Sequence, residues 1–186
     1  MKSLRTMVLC LTAFLLLSSS SSAQLFQIGA GGGLTQILSP TSYTDYYSTE
    51  WNAGAIAKLG IPLLPIKARA LVLFHSLSGT VEDSVYDYGV NRDIWEIGLG
   101  AQYNFIPVPA GFDPYIALDL TLNSNSGGGT VTYGGDIGIG TEITIIPILD
   151  FDVYASYTMF NLFGKEDGEE NLTAFTLDVF ILFSFL

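Results

Sequence analysis

The chain has 186 residues, 49% of them hydrophobic and 13% charged, and its seven basic and 18 acidic residues give a formal net charge of −11. An acidic chain lacks the basic surface that nucleic acids require, so nucleic acid is excluded as a partner. The single cysteine, Cys10, and the single histidine, His75, cannot supply a disulfide or a zinc site. We therefore expect no metal and no cofactor in one domain of ordinary size.

Residues 1–23 are predicted to be a secretory signal peptide. Two basic residues, Lys2 and Arg5, precede an apolar run, and a series of small residues ends at Ala23. The apolar run is shorter than the roughly 20 residues that a membrane-spanning helix needs. Cleavage after Ala23 would leave residues 24–186 as a single exported domain.

The exported part reads as β-strands in which apolar and polar residues alternate with a period of two. From Asp93 onward, for example, Trp95, Ile97 and Leu99 share one face, and Glu96 lies on the other. Each segment runs for about ten residues, whereas a strand usually has five or six, and ten is the length with which a tilted strand crosses a bilayer. The eight predicted strands are approximately 25–36, 51–60, 66–77, 93–105, 115–124, 131–144, 151–161 and 173–185. This pattern predicts an all-β fold, an eight-stranded antiparallel up-and-down transmembrane β-barrel.

Long and short connections alternate between these strands. The short turns begin with Ile61-Pro62, Ile106-Pro107 and Ile146-Pro147. The long polar connections are 37–50, 78–92, 125–130 and 162–172. In such barrels the short turns face the periplasm and the long loops face the cell exterior, so we assign the Ile-Pro turns to the periplasmic side.

Aromatic residues are placed near both ends of the predicted strands. The two predicted girdles comprise Trp51, Trp95 and Tyr133 at one end and Tyr103, Phe105, Tyr115, Phe183 and Phe185 at the other. Girdles that flank an aliphatic band are typical of membrane barrels. The alternative is the general preference of aromatic residues for strands.

The alternating strands, the predicted signal peptide and the last segment, "AFTLDVFILFSFL", resemble the small eight-stranded outer-membrane β-barrels, the OmpA/OmpX-like group. The resemblance implies a monomer in the outer membrane of a Gram-negative bacterium, in contact with lipid and lipopolysaccharide. In that group the barrel assembly machinery recognises a last strand that closes on an aromatic residue. Here Phe185 is penultimate and Leu186 follows it.

Strand parity places a set of charged residues on the face opposite to the aliphatic one. This predicted lumen charge cluster comprises Lys58, Lys67, Arg69, Glu96, Asp119, Asp136, Glu142, Asp152 and Asp178. The lumen of an eight-stranded barrel is just wide enough for side chains to fill, so we predict ion pairs that largely close it. The alternative is an ion path, which would make the protein a small-solute pore.

Catalytic residues are not predicted. Some eight-stranded outer-membrane lipid A deacylases use a His and a Ser in H-x-S spacing, whereas Ser76 and Ser78 lie one and three residues after His75. We therefore expect a non-enzymatic outer-membrane barrel with a structural or surface-interaction role. A secreted lipocalin-like barrel that binds an apolar ligand is the alternative, and it would place large apolar residues inside and charges outside.

Overall fold

The computed structural model describes residues 26–44, 49–83, 86–91, 93–105, 111–125, 131–165, 168 and 170–185. The predicted signal peptide, Ile106-Pro107 and Leu186 lie outside these ranges. Within the described residues, no helix has the length and apolar character that would take it across a membrane.

In these ranges the chain forms ten strands and a single helical turn. In chain order they are β1 (Phe26–Ser39), α1 (Thr41–Thr44), β2 (Thr49–Gly60), β3 (Ile66–His75), β4 (Ser78–Asp83), β5 (Tyr86–Asn91), β6 (Ile94–Asn104), β7 (Phe112–Asn125), β8 (Thr132–Ile146), β9 (Leu149–Phe163) and β10 (Thr173–Phe185). Eight of the strands close a barrel in the order β1-β10-β9-β8-β7-β6-β3-β2, and every neighbouring pair is antiparallel. The predicted eight-stranded up-and-down barrel is thereby confirmed.

The barrel closes where the first strand pairs with the last. Phe26 at the start of β1 lies opposite Phe185 at the end of β10, and the pairing continues to Ser39 opposite Thr173. Closure leaves no free sheet edge in the barrel, since each strand now has two hydrogen-bonded neighbours. We call the end of the barrel with the Ile-Pro turns the turn end, and the opposite end the loop end.

Side chains alternate between the inside and the outside along each strand. On β6, Glu96 is buried, and its neighbours Trp95 and Ile97 are exposed. The exposed face of the barrel is apolar, with Leu99 and Leu120 side by side across β6 and β7. This is the inverse of a soluble barrel, whose apolar residues face inward.

Several of the predicted boundaries were wrong, and the start of β7 is one of them. Strand β7 begins at Phe112 rather than at residue 115, because Asp113 pairs opposite Glu142 and Pro114 accepts a hydrogen bond from Phe105 N at 2.8 Å. The predicted loop 78–92 contains a separate hairpin of β4 and β5 that is not part of the barrel sheet. Aspartate and proline favour turns in isolation, and here pairing with the neighbouring strands outweighs that preference.

The Ile61-Pro62 turn, between β2 and β3, is held by two backbone hydrogen bonds. Ile61 N donates to Ile66 O at 3.0 Å, and Leu64 N donates to Ile61 O at 3.1 Å. Leu63 between them has φ of 69°, a left-handed conformation that is unfavourable for a residue with a Cβ atom. Its side chain is almost fully exposed, as expected at the tip of an apolar turn.

Candidate functional site: the barrel lumen

The turn end of the lumen holds a compact group of ion pairs, which we call the lower ion cluster: Lys58, Lys67, Glu142 and Asp152. Lys58 Nζ lies 2.8 Å from Glu142 Oε1 and 2.7 Å from Asp152 Oδ2. Lys67 Nζ lies 2.5 Å from the second oxygen of Glu142. Each buried charge in the cluster therefore has an opposite charge beside it, which offsets the cost of removing it from water.

Uncharged side chains complete the hydrogen bonding of this cluster. Gln102 Nε2 donates to Glu142 Oε1 at 2.8 Å, and Lys67 Nζ donates to Gln27 Oε1 at 2.9 Å. The Gln27 amide also lies 3.1 Å from Asp150 Oδ2, which accepts from Ser184 Oγ at 2.6 Å. Buried polar groups with such partners stabilise one packing of the lumen.

Sequence reasoning missed Asp150 as a lumen residue. It directly precedes the predicted start of its strand at residue 151, but β9 begins one residue before Asp150, at Leu149. The position of Asp150 could have been predicted from Asp152 on the same strand, because residues two apart in a strand face the same side. Asp113 was missed for the same reason, and it accepts a hydrogen bond from Asn104 Nδ2 at 2.9 Å.

Above the lower ion cluster lies a layer that we call the arginine layer: Arg69, Asp119, Tyr115 and Tyr154. Arg69 Nε lies 3.1 Å from Asp119 Oδ1, and its guanidinium lies 4.3 Å above the centre of the Tyr154 ring. Tyr154 in turn stacks on Tyr115 with ring centres 6.0 Å apart. Tyr115 OH donates to Asp152 Oδ1 at 2.7 Å, so the arginine layer and the lower ion cluster are one connected network.

The assignment of Tyr115 to an aromatic girdle was wrong. Its side chain is 1% exposed and lies in the lumen, since residue 115 shares the inward face of β7 with Ala117 and Asp119. Two glycines of β8 make room for the tyrosines. A Cβ atom at Gly140 would lie 2.4 Å from Tyr115 Cζ, and one at Gly138 would lie 2.7 Å from Tyr154 Cε2.

The other seven predicted girdle residues all face outward. They are Trp51, Trp95, Tyr133, Tyr103, Phe105, Phe183 and Phe185. At the loop end, Phe74 lies between the two tryptophans, with ring centres 5.7 Å from Trp51 and 5.0 Å from Trp95. At the turn end the ring of Tyr103 meets that of Phe105, and Phe26 meets Phe185.

Towards the loop end the lumen becomes a ring of polar side chains to which every barrel strand contributes one. This upper polar ring comprises Thr35, Asn52, His75, Glu96, Asn123, Asp136, Thr158 and Asp178, all buried. His75 Nδ1 lies 2.9 Å from Thr35 Oγ1, and its Nε2 lies 3.4 Å from Glu96 Oε2. His75 is therefore a lumen residue that interacts on both sides of its ring.

An apolar group covers the upper polar ring on the side of the loops. It consists of Ile37, Leu77, Ile94, Phe160, Leu172 and Ala174, all buried, and we call it the apolar cap. Phe160 meets His75 edge-on, with ring centres 5.2 Å apart. Every member of the predicted lumen charge cluster thus lies below this cap and inside the barrel wall, although Lys67 at the turn end is partly exposed.

Among the described residues, no three or more His, Cys, Asp or Glu side chains are arranged to hold a metal ion. His75 is hydrogen-bonded to Thr35, and the backbone N–H of Ser76 donates to Trp51 O at 3.1 Å. The contacts that the described lumen residues make are ion pairs and hydrogen bonds.

Comparison with known proteins identifies the fold. No protein-family model matches the chain, and no curated protein sequence matches it. Among solved structures, Neisserial surface protein A aligns over 86% of this chain and 97% of its own, with 18% identity and a TM-score of 0.63. The fold is that of the small outer-membrane β-barrels. The N-terminal barrel domain of Pseudomonas aeruginosa OprF aligns over 86% of this chain and 96% of its own, with 15% identity and a TM-score of 0.52. A major outer-membrane protein of Thermus thermophilus covers the same share of this barrel and 98% of its own chain, with 14% identity and a TM-score of 0.51.

Proposed function

We propose that the protein is a non-enzymatic, integral β-barrel of the outer membrane of a Gram-negative bacterium, exported and cleaved after Ala23. The observation that carries the proposal is the polarity of the barrel wall. Its outward face is aliphatic, with Leu120 73% exposed, and its lumen holds the fully buried charges of Lys58 and Asp152. In water this arrangement would expose a large apolar surface, whereas in a bilayer that surface contacts lipid and the charges stay away from lipid inside the lumen.

The same observation opposes a lipocalin-like function. A lipocalin binds its apolar ligand among inward-facing apolar side chains. Here Arg69, Glu96, Asp119 and Asp136 occupy the inward face. The lumen is too polar for an apolar ligand.

A closed lumen supports a structural or surface-interaction role over a small-solute pore. The lower ion cluster, the arginine layer, the upper polar ring and the apolar cap occupy successive levels of the barrel. An ion that entered at the turn end would have to part Lys58 from Glu142 and then pass the buried ring of Phe160. Conductance in planar bilayers would test this, and steady open channels at neutral pH would favour the pore.

Partners follow from the same proposal. The outward face would contact membrane lipid and lipopolysaccharide, and β10, which ends at Phe185, would present the recognition strand to the barrel assembly machinery. A monomer satisfies the geometry, because closure leaves no strand of the barrel wall with a free edge that could pair with a second copy.

Envelope fractionation tests the proposal directly. The full chain, expressed in a Gram-negative host, should sediment with the outer membrane, resist extraction by urea or carbonate, and dissolve in detergent. The mature protein should begin at residue 24 in N-terminal sequencing. Recovery as a soluble periplasmic protein would contradict the membrane assignment and favour the secreted barrel.

A further inference from the structure

Buried charges are balanced in the lower half of the lumen and unbalanced in the upper half. Below, Lys58, Lys67 and Arg69 lie beside Glu142, Asp152 and Asp119. In the upper polar ring, Glu96, Asp136 and Asp178 are all buried, and the one ionisable base among the described ring residues is His75. Three carboxylates and one imidazole cannot all be ionised in a water-poor lumen without a further positive charge.

Glu96 of β6 and Asp136 of β8 are in direct contact. Their side-chain carboxyl groups are within hydrogen-bonding reach of each other, although β7 separates the two strands in the barrel wall. Neither oxygen of Glu96 accepts a hydrogen bond from an N–H or O–H group of the described residues. A hydrogen bond between two carboxyl groups requires a proton on one of them.

Among the described residues around this pair, the one base that meets it is His75 of β3, whose Nε2 lies 3.4 Å from Glu96 Oε2, and a single imidazole cannot balance the three carboxylates of the ring. On β10, Asp178 adds a further negative charge, and Asn52 of β2 hydrogen-bonds to it. Arg69, also on β3, is paired with Asp119 of β7, and the other ring nitrogen of His75, Nδ1, lies 2.9 Å from Thr35 Oγ1 of β1.

The ninth strand contributes two hydroxyl groups near the pair. Thr158 hydrogen-bonds to Asp136. Tyr154 OH is buried in the neighbourhood of Asp119, Asp136 and Glu96 and has no hydrogen-bond partner among the described residues. An unpartnered buried hydroxyl beside the carboxyl pair is an independent sign that a proton, or a small species that donates one, belongs in this part of the lumen.

We propose that Glu96 and Asp136 form a proton-binding site that holds one shared proton at neutral pH. Two ionised carboxylates in contact would repel each other strongly, and one proton converts that repulsion into a short hydrogen bond. A monovalent cation is the competing occupant. The inference concerns the interior of the folded barrel and does not depend on the cellular location proposed above.

The sharpest test compares one chemical change at two lumen positions. Glu96→Gln puts an N–H donor where the proposed proton lies, so at neutral pH the barrel should unfold in detergent at the same or a higher urea concentration than the parent. Glu142→Gln removes a negative charge that lies between two lysines, so that variant should unfold at a clearly lower urea concentration. Equal losses in the two variants would overturn the proposal.

Infrared spectroscopy of the folded barrel supplies a readout that a purely structural role would not change. The parent at neutral pH should show the carbonyl stretch of a protonated carboxylic acid, and Glu96→Gln and Asp136→Asn should each lose it. Asp136→Asn also keeps the test decisive if Glu96→Gln fails to fold. Absence of the band in the parent would overturn the proposal.

The pH dependence has a definite sign. Because the folded pair keeps a proton that the unfolded chain releases near neutral pH, the parent should lose stability as pH rises and the pair ionises, and Glu96→Gln should lack this loss. Stability of the parent that depends on sodium or potassium concentration, with no dependence on pH, would show a bound cation instead and overturn the proton site.

Discussion

Lys58 Nζ lies 2.8 Å from Glu142 Oε1, although the two residues are 84 positions apart in sequence. They belong to β2 and β8, which are diametrically opposite in the closed strand order. This ion pair therefore spans the lumen, and the barrel wall and its contents stabilise each other. Lys58 also pairs with Asp152, so its removal should have the largest effect on the stability of the barrel.

Lys58→Met should lower the free energy of unfolding by roughly 3–5 kcal/mol, since it leaves the buried Asp152 without its paired lysine and Glu142 with Lys67 alone. Urea unfolding in detergent measures the loss. Lys165→Met at the partly exposed loop end is a control and should change stability by about 0.5 kcal/mol or less. A Lys58→Met variant as stable as the parent would mean that water reaches and solvates these carboxylates.

Arg69→Met should also destabilise the barrel, because it leaves the buried Asp119 without its paired cation and removes the cation from the Tyr154 ring. Adding Asp119→Asn should restore part of the loss, since the uncompensated negative charge is then absent. A double-mutant cycle measures the coupling, which should reach about 0.5–3 kcal/mol for groups in contact. Strictly additive effects would show that the two side chains do not interact.

Leu120→Arg and Phe163→Arg form a matched pair on the outward face, where the parent residues are 73% and 71% exposed. Leu120 lies at mid-strand and Phe163 at the loop end. In a membrane barrel the arginine at mid-depth should cost about 2–4 kcal/mol, and the one near the interface about 0–1 kcal/mol. Folding yields in lipid vesicles measure the difference, and similar yields for both variants would argue against a bilayer around this face.

Gly140→Ala should destabilise the barrel by about 1–3 kcal/mol, because the new methyl group would overlap the Tyr115 ring. In a Tyr115→Ala background most of this cost should vanish, since the three nearest atoms to that methyl group all belong to Tyr115. Urea unfolding of the two single variants and the double variant gives the comparison. A cost that persists in the double variant would place the overlap elsewhere.

Leu63→Gly should raise the free energy of unfolding by about 0.5–1 kcal/mol, because glycine adopts the left-handed conformation at φ of 69° without steric cost. The neighbouring Leu64, whose φ is negative, provides the control, and Leu64→Gly should lower stability by a similar amount. Thermal unfolding in detergent distinguishes the two, and a loss of stability in both variants would contradict the strain at Leu63.

The sequence predicts for most strand residues whether the side chain faces the lumen or the exterior, and Glu96 and Leu99 show why. Successive residues of a strand face opposite sides, so one strand read from sequence already separates lumen from exterior. The same parity would have placed Tyr115 inside, and it was assigned to a girdle only because aromatic residues cluster near strand ends. Asp150 was lost to a strand boundary drawn two residues late.

The sequence alone determined the eight alternating strands, the closed up-and-down barrel and the faces of most of its residues, because alternation is a local property that two or three neighbours establish. It could not assign partners across the lumen. Whether Lys58 meets Glu142 or Asp119, and whether Glu96 meets Asp136, depends on how far each strand slides against the next and on which walls the closed barrel brings face to face. Both depend on the stagger between neighbouring strands, added up around the whole barrel. Only the tertiary structure therefore decided which side chains meet across the lumen.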